Sequence, residues 1–167
     1  FMHSKLQQHL GDPTPFLNNV FQQLDSKGID VQDYELDHIC YRVESDNSYN
    51  QICGLLREFA NLLSETLIGG RLISTFKLHQ PIQYEDRDIY CLEVPAPKEG
   101  SFYPESYQHV EFVVNQELKS FIMMYPEIEF DTRSLHKDVN PDVKLEFANC
   151  SVKFHEFPLE YVIENLE

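Results

Sequence analysis

Positive charge is scarce in this sequence: 13 Lys and Arg stand against 28 Asp and Glu in 167 residues, giving a net charge of −15 and a pI near 4.7. Proteins that track phosphate backbones or anionic membranes need a basic face, so this balance argues against nucleic acid or a membrane as partner. Cysteine is sparse too. Cys40, Cys53, Cys91 and Cys150 include no Cys-x-x-Cys pair, which argues against a zinc ribbon or a disulfide framework and reads as buried, reduced thiols. No apolar run is long enough to span a bilayer, and neither a signal-peptide core nor a basic amphipathic transit segment is found. The expectation is a cytoplasmic protein. Also missing are a glycine-rich phosphate loop, a Gly-x-Ser-x-Gly elbow, a His-Glu-x-x-His helix and any low-complexity segment. Phe1 ahead of Met2 reads as a remnant and takes no part in the argument.

What is present is apolar enough to fold. With 42% hydrophobic and 13% aromatic residues, the chain reads as one globular domain over residues 1–167 that can bury a core without staples. Its organising stretch is Leu36-Asp37-His38-Ile39-Cys40-Tyr41-Arg42-Val43, because Tyr107-Gln108-His109-Val110-Glu111-Phe112-Val113-Val114 echoes it. Both read as strands with a histidine at the same place. Alternation puts Ile39, Tyr41 and Val43, and later Val110, Phe112 and Val114, on one face, and the histidines on the other. One face fits under helices while the other lines a cavity. The implied fold is duplicated, with a site shared by its halves.

In chain order, Lys5 to Leu10 and Pro15 to Lys27 read as helices, the second capped by Thr14 and ended by Gly28. After the first strand, Glu44 to Asn47 reads as a turn and cap, and Tyr49 to Leu63 as a helix with a stripe of Ile52, Leu55, Leu56, Phe59, Leu62 and Leu63. Gly69-Gly70 marks a hairpin turn before a strand from Arg71 to Gln80, stopped by Pro81. Ile89 to Val94 is a further strand. Beyond the echo strand the expectation is a helix over 116–125, strands over 127–135, 142–147 and 150–155, and a short helix over 159–166.

Strand parity then selects polar residues that share the cavity face: His38 and Arg42, Lys77 and His79, Glu93, His109 and Glu111, Lys153 and His155. His38, Glu93, His109 and His155 form a plausible cage for a divalent metal ion, since imidazole and carboxylate suit zinc, nickel, iron(II) or manganese. Glu156 is the alternative to His155, but it shares the parity of Val152 and Phe154, so a regular strand turns it away unless a bulge intervenes. The plainer readings are hydrogen-bonded sheet histidines, a strand-end carboxylate at Glu93 and rim charges at Arg42, Lys77 and Lys153. Cys40, beside His38, makes an improbable nucleophile.

The ordered set His38-Ile39-Cys40-Tyr41-Arg42, Gly69-Gly70-Arg71, Thr75-Phe76-Lys77-Leu78-His79-Gln80-Pro81, Leu92-Glu93-Val94-Pro95, His109-Val110-Glu111 and Val152-Lys153-Phe154-His155 resembles the YecM family of bacterial proteins. That family is similar in fold to the vicinal oxygen chelate superfamily of glyoxalases, extradiol dioxygenases and bleomycin-resistance proteins. The resemblance implies an α+β fold of two βαβββ modules in one chain, forming a curved mixed sheet around a cavity. The helical extension would cover residues 1–34, the modules 35–97 and 106–158, and the terminal helix 159–167. It also implies metal ligands on the first and last strands of each module, at His38, Glu93, His109 and the position at or next to His155. The expected function is a divalent-metal protein acting as a lyase, isomerase or dioxygenase on a small oxygen-containing substrate. Glu111 and Lys153 would then be catalytic, and Arg42, Lys77 and His79 substrate-binding. The alternative is a non-catalytic module of the same fold that binds or sequesters a small ligand. Either form would be a monomer or homodimer.

Overall fold

Capping and alternation decide most of the local structure in the computed structural model, which describes residues 2–166. The chain opens with α1 (Ser4–Leu10) and α2 (Thr14–Ser26). The Asp12 carboxylate accepts the Thr14 N–H at 3.0 Å, so Asp12 satisfies the start of α2 and Thr14 is already helical. Gly28, at φ +71°, ends that helix in the left-handed conformation glycine tolerates. The first strand, β1 (Glu35–Arg42), follows.

The remaining elements are α3 (Asp46–Phe59), β2 (Ala60–Ile68), β3 (Arg71–Tyr84), β4 (Arg87–Pro95), β5 (Ser106–Val113), α4 (Leu118–Met123), β6 (Asp142–Glu146), β7 (Ser151–His155) and α5 (Leu159–Asn165). The fold is mixed α+β. The chain divides into two compact units, residues 1–15 with 38–108 and residues 16–37 with 109–167. Each holds one copy of the repeated pattern.

In the first unit the strand order is β2-β3-β4-β1, with β1 parallel to β4 and the other pairs antiparallel. Ser45 caps α3 by accepting the Ser48 N–H at 3.0 Å. The buried residues of α3, Tyr49, Ile52, Cys53 and Leu56, recur at helical spacing, and Ile39, Phe76, Leu78, Leu92 and Val94 are buried on the strands. Tyr49 anchors the helix further: its hydroxyl lies 2.6 Å from Ser74 Oγ and donates to Glu65 at 3.1 Å.

Two expectations fail here. The helix expected over 49–63 ends at Phe59, because Ala60 is already extended (φ −155°, ψ 160°) and residues 60–68 pair with β3. Leu62 and Leu63 therefore belong to a strand, and Leu62 is exposed. The strand expected to stop at Pro81 runs on to Tyr84. Its register with β4 shifts between Lys77 and Ile82, and an irregularity of that kind accommodates a residue with no N–H to give.

In the second unit the order is β5-β7-β6, with β5 parallel to β7 and β6 antiparallel to it. Its core is aromatic. Phe112 and Phe154 stack at 5.9 Å between centroids, Phe121 meets Phe154 at 4.7 Å, and Phe21 of α2 meets Phe112 edge-on at 6.1 Å. The strand expected over 127–135 is instead a series of turns carrying one isolated bridge, Asp131 with Lys144. Asp131 ties itself to Arg133 and leaves only this remnant of a third strand after α4. Among the described residues the second module is thus β5, α4, the bridge, β6 and β7. Phe1 and Glu167 lie outside the described residues.

The four cysteines are buried thiols, and burial pushes those of Cys53 and Cys150 up. Among the described residues no helix is long and apolar enough to cross a membrane.

Candidate metal centre

Parallel pairing of first and last strands determines what stands beside each histidine. In the first unit His38 lies opposite Cys91, and Cys40 opposite Glu93, so Glu93 sits one diagonal step from His38 on the same face. The Nε2 of His38 is 4.0 Å from Oε2 of Glu93; His38 is buried and the Glu93 side chain 18% exposed. Thr75 of β3, also buried, flanks Glu93 on its other side.

In the second unit the pair is local. His109 and Glu111 are two residues apart on β5, hence on one face, and His109 Nε2 is 3.1 Å from Glu111 Oε2, both buried. Each module therefore contributes one imidazole with one carboxylate. Taken as a donor set, His38, Glu93, His109 and Glu111 are of a kind that can hold a metal ion.

His155 keeps other company. The β5–β7 register puts Ser151 opposite His109 and His155 opposite Val113, so His155 lies four residues along β7, about 13 Å of strand, from the position facing His109. Its Nδ1 is 2.9 Å from Asn140 Oδ1 and its Nε2 is 3.5 Å from Asp37 Oδ2. Asp37 also accepts the Leu159 N–H at 3.0 Å, at the start of α5. The alternative ligand, Glu156, accepts the Leu118 N–H at 3.1 Å and so ties the start of α4.

The other polar residues that sequence parity assigned to this face spread along the strands. Lys77 stands opposite Cys91 and so two strands from His38, while Lys153 stands between Glu111 and Lys144. Arg42, four residues along β1 from His38, stacks its guanidinium on Tyr103 at 4.0 Å and buries its Nε without a hydrogen-bond partner. His79 is exposed, bonds Asn61 at 3.1 Å and lines a separate cleft with His3, Leu6, Phe59 and Gln80. Sequence reasoning did not find Asp37, Asn140 or Tyr103. Only Asp37, next to His38 in the organising stretch, carried any signal.

This architecture has known counterparts. Methylmalonyl-CoA epimerase, solved in complex with methylmalonyl-CoA, shares the fold, superposing with a TM-score of 0.52 and 10% identity over 75% of this chain and 96% of that one. A structural-genomics protein, EC4020, is nearer, with a TM-score of 0.81 and 23% identity over 97% of this chain and 93% of its own. The profile of the YecM protein family matches residues 5–165, and the chain belongs to that family. Protein YecM of Escherichia coli is 25% identical over 95% of this chain and 93% of its length. An uncharacterised protein of Haemophilus influenzae is 31% identical over 52% of this chain, but the match spans under half of that relative, 45%.

Proposed function

We propose that this chain binds one divalent cation through His38, Glu93, His109 and Glu111 and is a metal-dependent enzyme acting on a small oxygen-containing substrate. The observation that carries the reading is the recurrence of one imidazole–carboxylate pair in each module, at 4.0 Å in the first and 3.1 Å in the second. Two neutral imidazoles and two carboxylates suit zinc, nickel, iron(II) or manganese. The vicinal oxygen chelate fold is consistent with such a centre, although fold does not choose a reaction. A cation bound there would polarise adjacent substrate oxygens as a Lewis acid.

The chain's own residues would do the rest. Glu111 would either donate to the cation or carry a proton, and Lys153, opposite it on β7, would hold an anionic group. Arg42 and Lys77 would serve the substrate at greater distance. His155, which bonds Asn140 and lies 3.5 Å from Asp37, is left out of this proposed set, although Asp37, His38 and His155 are also of a kind that can hold a metal ion.

The test is the metal content of untagged protein, for the wild type and the His38→Ala, His109→Ala double variant. About one transition-metal ion per chain, lost in the variant with the fold retained, is the expected result. Stoichiometric metal retained in the double variant overturns the assignment. A wild type that takes up no zinc, nickel, manganese or anaerobic iron(II) would move the non-catalytic binding module ahead.

A further inference from the structure

Two buried polar atoms of the first unit have no hydrogen-bond partner among the described residues, Nε of Arg42 and Oε1 of Glu105. One belongs to a cationic donor and the other to an anionic acceptor, and they do not bond each other. Each bears the desolvation penalty of an unmade bond, which folded chains rarely tolerate. Two such atoms of opposite sign in one region leave room for a group that answers both.

Tyr103 is what brings them into one region. The Arg42 guanidinium stacks on the Tyr103 ring at 4.0 Å, and Glu105 follows Tyr103 by two residues, at most about 7 Å of chain. The Tyr103 hydroxyl accepts the Lys98 N–H at 3.3 Å, which ties this aromatic platform to its own connection. The phenol of Tyr41, next to Arg42 in sequence, is pushed up to about 12 by burial and then by the charges of Glu105 and Glu44, so Glu105 lies near the end of β1. Arg42 is the last residue of β1 and Glu105 immediately precedes β5. All three side chains are partly exposed, so a small ligand reaches them without opening the core.

The chemistry of the ligand follows from the two atoms. A guanidinium held flat on a ring presents Nε–H and a neighbouring N–H as a fork that fits a carboxylate. Glu105 needs a donor, and together with Glu44 and the net charge of −15 it opposes a bare anion. A group with an oxyanion on one side, a cationic donor on the other and no net charge satisfies both. We propose that Arg42 and Glu105 hold the head of an α-amino acid, its carboxylate on Arg42 and its ammonium on Glu105. The proposal rests on the remote substrate role given to Arg42 above and specifies that end of the molecule.

Glycine, acetate and methylammonium are the probes, titrated separately into the full chain by NMR of the backbone amides and of the Arg42 Nε–H, in wild type, Arg42→Lys and Glu105→Gln. Glycine is expected to shift the Arg42 Nε–H and the Tyr103 and Glu105 amides saturably, at least tenfold more tightly than acetate or methylammonium. Binding at least tenfold weaker is expected in either variant. Because glycine also chelates cations, the titration is repeated in the His38→Ala, His109→Ala variant, where the same response is expected; its loss there overturns the proposal. No saturable shift with glycine in wild type, as when water alone lies between the two atoms, also overturns it, as do shifts that Arg42→Lys and Glu105→Gln both leave unchanged. Glycine binding in a wild type that takes up no metal upholds the head-group seat while the metal reading falls. Metal bound at the centre with no response to glycine removes the seat alone.

Discussion

Asp37 Oδ2 lies 3.5 Å from His155 Nε2 while accepting the Leu159 N–H at 3.0 Å, so one buried carboxylate joins the end of β7 to the start of α5. Asp37→Ala removes the acceptor of a buried helix-start amide and leaves His155 without that neighbour. The expected loss is about 1–3 kcal/mol of stability. Asp37→Asn, which keeps an oxygen, is expected to lose less. Denaturant unfolding of both variants checks the order; equal stability of wild type and Asp37→Ala would show that the carboxylate does not hold α5.

Glu93→Gln and Glu111→Gln separate ligand from scaffold. Each keeps the shape of its side chain and removes a negative charge from the proposed donor set. Calorimetric titration with zinc or manganese is expected to show at least tenfold weaker binding in either variant, a size typical when metal-site partners are changed. His155→Ala is expected to leave cation affinity within a few-fold. If His155→Ala alone abolishes binding, the donor set has been drawn wrongly.

The aromatic core of the second unit sets a stability expectation independent of any ligand. Phe154 is fully buried and touches Phe112, Phe121 and Phe130. Phe154→Ala is expected to destabilise by about 3–5 kcal/mol, the usual range for a buried aromatic. A loss below about 1 kcal/mol in equilibrium unfolding would mean that the unit collapses around the cavity.

Alkaline pH should find a weak point in the first unit. Burial pushes the phenol of Tyr41 up to about 12 and raises those of Tyr49 and Tyr107 as well. The native state thus keeps protons that the unfolded chain releases near pH 10. The stability tied to these phenols is complete below pH 10 and falls as pH rises from there towards 12. Thermal melts across that range, with ultraviolet titration of tyrosine, are expected to show the decline and its absence between pH 7 and 9.

The strands that carry the histidines were legible because apolar residues alternate along them in sequence and the echo at His109 repeats that phase, although the structure buries both faces of β1 and most of β5. The segment after α3 was not. Leu62 and Leu63 extend a helical apolar spacing from Ile52, and only the partner strand β3 shows that residues 60–68 are extended. Pro81 misled in the opposite sense, since a bulge absorbs it within β3. At the site, parity grouped His155 with His109 on one face but said nothing of its distance along the strand. The register to β5, a tertiary fact, is what separates it from His109 and leaves Glu111 beside that histidine.

The parallel pairing of β1 with β4 also bears on the order of assembly. β2, β3 and β4 are joined by tight turns at Gly69-Gly70 and Glu85-Asp86, so their hairpins can zip locally. β1 reaches β4 only after the whole intervening segment has closed on itself, and such non-local pairing is slow. His38 is therefore expected to meet Glu93 late, after the antiparallel ribbon has formed. Pulsed hydrogen exchange during refolding would then protect amides of β3 and β4 before those of β1, and an arrested chain could possess a formed ribbon with no competent ligand pair.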